Sequence, residues 1–289
     1  MTLHSIDVSV RAPLEQLYQQ YGHRNSAHHF SSLYVWRHEM QLSVLLEPDL
    51  FAVKAGWRGQ DYWFFPCGEA AAKKRFLLSL ANSSRPRLCY ACSEDVAFAE
   101  KYLPGVYRFS HTPEDDEYLY DRGQQIAMAG KAFRHQRNAL NRVTAAPSLS
   151  VRPLADDTLP DALSVLSTWS QKSHDMSVGG LIGCQALEVL LRSYAPLCVT
   201  GVVVYDGRVP CALAAGYELA PDCFDLSACI QSVGNSDYSI YARHCLLRQL
   251  PEQVRIVNAE EDLGLSGLRT VKQGMKPCSI IHTYEGRIL

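Results

Sequence analysis

Hydrophobic positions along the chain repeat with two different periods, and the change from one to the other marks out its elements. Short runs rich in β-branched, aromatic and leucine residues predict strands over 33–37, 41–46, 50–55, 60–65, 87–91 and 106–110. Glu47-Pro48-Asp49 and the segment from Gly56 to Gly59 punctuate them as turns. Period-3.6 stretches predict helices over 13–21, 68–81 (GEAAAKKRFLLSLA) and 93–103. The acidic run Glu114-Asp115-Asp116-Glu117 reads as a solvated loop without chemistry.

The rest of the chain repeats this grammar. A strand at 149–153 precedes helices at 157–171 and 180–194, then strands at 198–205, 210–219 and 222–230, with Asp206-Gly207 as a hairpin turn. A helix over 237–250, a strand over 254–258, a short helix over 266–274 and a strand over 278–284 complete it. That order is the one found in GNAT-type acyltransferases, and the first part of the chain carries a worn version of it. The expectation is an α/β fold of two tandem GNAT-like units, each a mixed, mostly antiparallel sheet with flanking helices. The units are expected at 1–121 and 148–289, joined by a long linking helix within 122–147.

That helix, 122–144 (RGQQIAMAGKAFRHQRNALNRVT), puts Ile126, Phe133 and Leu140 on one stripe. Lys131, Arg134, His135, Asn138 and Arg142 take the opposite, basic side, where Lys131, Arg134 and Arg142 offer contacts to RNA or to phosphate. Arg137 falls on the apolar stripe, and a buried arginine needs a partner. Glu260 or Asp262 is the expected one; the open choice is between a structural ion pair and a ligand site.

A second polar cluster follows the strand ending at Asn258. Glu260, Glu261 and Asp262 come at once, and the next helix carries Arg269 and Lys272 on one face. In open α/β sheets ligands bind at the carboxyl ends of strands. Glu260 and Asp262 are the candidate catalytic carboxylates, as base or as holder of an ammonium group. Arg137, Asn138, Asn258, Arg269 and Lys272 are the candidate substrate-binding residues. The loop 231–236 (QSVGNS) loosely echoes a pyrophosphate-binding loop around Gly234.

Composition narrows the field. Twenty-eight Lys and Arg against thirty Asp and Glu leave a net charge of −2, so the protein as a whole is not an electrostatic nucleic-acid binder. No apolar run approaches the ~20 residues of a membrane-spanning helix, and the amino terminus has no signal-peptide core, which predicts a cytoplasmic protein. The ten cysteines are scattered through strand-like contexts. Cys89 and Cys92 form a lone CxxC without a second ligand pair, and His28, His29 and His38 lack a Cys or carboxylate at ligand spacing, so no metal is expected.

The two polar stretches also carry a resemblance. Gly130-Lys131, Arg137-Asn138 and Asn141-Arg142 in the first, and Asn258 to Gly264 with Gly267, Leu268, Arg269 and Lys272 in the second, resemble the phosphatidylglycerol lysyltransferase C-terminal-like family. Lesser matches lie at Phe30 to Trp36 and Phe65 to Gly68. His135-Gln136 replaces a basic doublet of the family, and Gly274-Met275 lacks an aromatic found there. The family is similar to the aminoacyl-tRNA-dependent transferases of the FemABX group and has tandem GNAT-like domains.

The resemblance implies transfer of an aminoacyl group from a charged tRNA to a lipid such as phosphatidylglycerol, in bacterial envelope lipid modification. It implies tRNA and a peripheral membrane lipid as partners, localisation at the inner membrane surface, and no tightly bound cofactor. Two readings compete: an acyl-CoA-dependent N-acyltransferase using the loop at Gly234, and a non-catalytic tandem domain that binds a regulatory partner.

Overall fold

Alternating apolar side chains build two sheets, and tight turns set their registers. The computed structural model describes residues 2–57, 59–83, 86–175, 183–232 and 237–289. Its first stretch contains strands β1 (Leu3–Ser5), β2 (Ser43–Glu47), β3 (Leu50–Trp57), β4 (Gln60–Phe64), β5 (Cys67–Gly68), β6 (Arg87–Cys92) and β7 (Tyr107–His111). Helices α1 (Arg11–Tyr21), α2 (Phe30–Trp36), α3 (Ala70–Ser83) and α4 (Ser93–Tyr102) accompany them. There follow β8 (Glu117–Asp121), α5 (Arg122–Ala127), α6 (Arg134–Thr144), β9 (Leu149–Pro153), α7 (Leu159–Asp175) and α8 (Cys184–Arg192). The last stretch is β10 (Thr200–Asp206), β11 (Val209–Ala220), β12 (Cys223–Gln231), α9 (Asp237–Gln249), β13 (Ile256–Asn258), α10 (Ser266–Gly274), β14 (Ser279–Ile281) and β15 (Thr283–Ile288).

One sheet runs β1-β2-β3-β4-β6-β15-β7, with β5 paired to β3; the other runs β14-β8-β13-β12-β11-β10-β9. Pairing is mostly antiparallel, while β4 with β6 and β12 with β13 run parallel. This is the mixed α/β architecture expected. The chain divides into two compact units, one of Met1–Glu117, Glu261–Arg269 and Ile280–Leu289, the other of Tyr118–Glu260 and Thr270–Ser279. Leu50, Phe65, Leu77 and Leu88 centre the first core, and Tyr120, Val202, Leu246 and Val257 the second. Each such side chain contributes about 1.5–3 kcal/mol on burial. At the bulge between β11 and β12, a Cβ on Gly216 would lie 1.7 Å from the Asp225 carbonyl oxygen, so only glycine fits.

Four elements differ from the sequence expectation. Residues 33–37 belong to helix α2, not to a strand: the His29 imidazole caps it by accepting the Ser31 N–H at 3.2 Å, and Phe30 and Leu33 are both buried. The acidic run is not simply a solvated loop. Asp116 and Glu117 are buried, and Glu117 accepts the Ser26 N–H at 2.9 Å and the Ser26 hydroxyl at 2.8 Å. The linking helix breaks after Ala127, where Met128 adopts φ 45° and Gly130 φ 78°, left-handed values that end an α-helix. The closing strand β15 lies between β6 and β7 in the first unit's sheet instead of ending the second half. The loop residues 233–236, Gly234 included, and the start of the helix expected from 180 lie outside the described residues. Among the described residues no helix is long and apolar enough to cross a membrane.

Candidate functional site

In the second unit β13 pairs with β12 only over Cys223–Asp225, and β12 then continues to Gln231. Tyr120 on β8, Cys229 on β12 and Arg243 on α9 share an electrostatic neighbourhood here with Lys272 on α10. Arg243 is 6% exposed, and its Nε and Nη2 reach no hydrogen-bond acceptor among the described residues. Its guanidinium lies over the Tyr120 ring, 4.5 Å from the centroid. A cation–π contact is worth ~2 kcal/mol when desolvated, against several kcal/mol for taking a charge out of water. Burial accordingly pulls the Arg243 pKa below its ordinary value.

Lys272 donates to the Ala259 carbonyl and stands 5.8 Å over the Tyr118 ring. The Tyr120 hydroxyl donates to the Lys272 carbonyl at 2.8 Å, which ties the end of α10 to β8. Burial pushes the Cys229 thiol up, while Arg243 and Lys272 both pull it down. The region is thus a cationic centre in a protein of near-zero net charge. Sequence reasoning missed Arg243, although the test applied to Arg137 would have found it. Arg243 sits among Ala242, Leu246 and Leu247 on the buried side of its helix.

The same unit holds Asn258 and Glu260. Asn258 is fully buried, and its side-chain oxygen accepts the Glu260 N–H at 2.8 Å. That bond holds Glu260 in a left-handed turn at φ 57°, with its side chain half-buried.

Asp262 and Arg269 belong to the first unit and are each other's partners. Arg269 donates through Nε at 2.7 Å and Nη2 at 2.9 Å, and Gly264 N–H adds a third bond at 2.9 Å. The Asp262 side chain is wholly buried, the Arg269 side chain 39% exposed. A carboxylate held by a two-pronged guanidinium and a backbone N–H has most of its lone pairs engaged within the chain.

The basic face differs from its sequence picture. Arg137 is half-buried, and its guanidinium donates to the carbonyls of Met128 and Gly130, the latter at 2.6 Å. Its guanidinium thus answers carbonyls left at the helix break, and among the described residues no carboxylate forms an ion pair with it. Arg142 forms a two-pronged pair with Asp237, at 2.6 and 2.9 Å. Lys131, Arg134 and Asn138 are exposed.

A sequence profile described as "Phosphatidylglycerol lysyltransferase, C-terminal" matches residues 18–284. A search of curated protein sequences gives no significant match. Among solved structures, a conserved protein of unknown function from Bacteroides thetaiotaomicron has a TM-score of 0.92 at 22% identity, covering 100% of both chains. L-PGS from Bacillus licheniformis has a TM-score of 0.68 at 12% identity, over 98% of this chain and 92% of that one. A tandem GNAT protein from the clavulanic acid biosynthesis pathway has 0.51 at 9%, over 99% and 97%. The structural likenesses establish a tandem GNAT-like fold, and the profile covers nearly the whole chain. The chain belongs to the phosphatidylglycerol lysyltransferase C-terminal family.

Proposed function

We propose that this chain is an aminoacyltransferase that moves an aminoacyl group from an aminoacyl-tRNA to a hydroxyl of a phosphate-bearing acceptor of the phosphatidylglycerol type. Family membership supports the reaction class, and the observation that carries the acceptor's chemistry is Arg243, a buried guanidinium with two nitrogens that find no acceptor among the described residues. A phosphate supplies both acceptors and the missing negative charge.

In this reading the acceptor hydroxyl oxygen attacks the ester carbonyl carbon, and its proton passes to Glu260. The tetrahedral oxyanion develops beside Lys272. Its collapse breaks the bond to the ribose oxygen of the tRNA, which takes the proton back from Glu260. Asn258 positions Glu260. Asp262 with Arg269 serves structure. Lys131 and Arg134 meet RNA phosphates, so tRNA affinity varies only modestly with salt, by a log–log slope of about −1.4 for two single-strand contacts.

The test incubates the purified chain with a panel of aminoacyl-tRNAs, labelled in the amino acid, and phosphatidylglycerol vesicles. Label is expected in the lipid extract, and is lost in Glu260→Gln and Lys272→Ala. Label that stays on every tRNA while acetyl-CoA is consumed in a parallel reaction would overturn the reading in favour of an acyl-CoA enzyme.

A further inference from the structure

The acidic run and the closing strand bring together three ligand-type side chains in the first unit, away from the groups used above. His111 ends β7, Asp116 precedes β8 and His282 precedes β15. Antiparallel pairing sets Tyr284 opposite His111, and the Thr112 N–H donates to the Thr283 carbonyl at 2.9 Å, so both histidines are fixed on neighbouring strands. Asp116, 7% exposed, lies between them. Its carboxylate is 2.9 and 3.0 Å from His111 Nε2 and 3.0 Å from His282 Nδ1, and it accepts the Thr283 N–H at 2.9 Å. The three ligand atoms lie within 4.8 Å of one another, and the imidazoles meet edge to face at 5.1 Å. Both histidine side chains keep a solvent face, at 41% and 49% exposure.

We propose that His111, Asp116 and His282 form a binding site for a divalent transition metal, for which Zn2+ is the redox-inert probe. Tetrahedral metal bonds of ~2.0–2.2 Å put adjacent ligand atoms ~3.3–3.6 Å apart, so the carboxylate–imidazole contacts of 2.9–3.0 Å open by roughly half an ångström, while the two imidazole nitrogens start no more than 4.8 Å apart. Two imidazoles and one carboxylate on one side of an ion are the 2-His-1-carboxylate pattern, which leaves outward positions open to water or a ligand. Imidazole ligands select against Mg2+ and Ca2+. The proton balance is local: His111 shifts its ring proton to Nδ1 and His282 to Nε2, which frees Nε2 and Nδ1 for the ion. The Thr283 N–H already orients the carboxylate, as an outer support does in built metal sites. Because the ligands come from separate parts of the chain, the ion would pin the closing strand to the first unit's sheet.

The experiment uses the full chain after chelator treatment. Zn2+ is titrated by calorimetry, and thermal unfolding is followed in Zn2+ and in Mg2+. One equivalent of Zn2+ should bind and raise Tm, Mg2+ should not, and His111→Ala and His282→Ala should each weaken binding roughly 100-fold or more, since loss of an outer support alone costs ~10–100-fold. Both substitutions are at exposed side chains, and unchanged Tm in chelator verifies folding. No saturable Zn2+ binding, or binding retained in either variant, as coordination by exposed Cys198 and Cys278 would give, overturns the site.

Discussion

Arg269 and Arg243 are both helical arginines, and their guanidinium groups meet opposite surroundings. Arg269, in the first unit and more than a third exposed, pairs with a fully buried Asp262 that answers two of its N–H groups. Arg243, in the second unit, is more deeply buried and rests on an aromatic face, with Nε and Nη2 unanswered among the described residues. A charge matched within the chain holds structure together. A charge buried without a match costs stability, and such a cost is retained where a ligand supplies the match. Arg137 stands between these cases, its guanidinium closing the carbonyls that the helix break exposes.

The comparison breaks most visibly at Arg269. Arg269→Met removes both guanidinium bonds to the buried Asp262 carboxylate and should cost about 3–5 kcal/mol in urea unfolding. Asp262→Asn should cost less, because its partner can turn to solvent. Equal losses would mean that the pair does not carry the asymmetry described.

Histidine sharpens the contrast, since it can discard its charge where arginine cannot. Burial, with Arg11 adding to it, lowers the His29 pKa to about 4. The fold therefore keeps His29 neutral, while the unfolded chain protonates near pH 6.5. Stability should be full above that pH and fall by roughly 1.4 kcal/mol per unit toward pH 4, about 3 kcal/mol in all. In His29→Gln this slope should vanish from pH-dependent denaturation; an unchanged profile would show that another group sets it.

Arg137→Met removes charge-assisted hydrogen bonds to the Met128 and Gly130 carbonyls without stranding a carboxylate. It should cost about 1.5–3 kcal/mol, below Arg269→Met, in the same unfolding assay. A loss matching that of Arg269→Met would point to a buried anion at Arg137 after all.

Much of the fold was readable because local period and turn chemistry agree with it. The Asp206-Gly207 hairpin, α3 and the β10–β12 run follow directly from alternation and spacing. Helix α2 did not, because β-prone residues there are overridden by a histidine cap and by burial. The break at Met128 was hidden because the apolar stripe runs on across it and outweighs the stop signal of Gly130. The place of β15 between β6 and β7 is a long-range pairing, which local period does not encode. In the candidate site, the polar cluster from Asn258 to Lys272 stood out as charge after a strand. Arg243 was less conspicuous because its helix carries no such run; its place beside Ala242, Leu246 and Leu247 marks it as buried, and what that burial means comes from the structure.

Arg243→Met tests the central claim most directly when stability and transfer are measured on one preparation. Replacing an unmatched buried charge by an apolar side chain of similar length should leave unfolding free energy unchanged within about 1 kcal/mol or raise it, while aminoacyl transfer to phosphatidylglycerol vesicles falls at least about 100-fold, roughly 2.7 kcal/mol. A variant that loses several kcal/mol of stability yet transfers at the wild-type rate would show that Arg243 serves the fold rather than the acceptor.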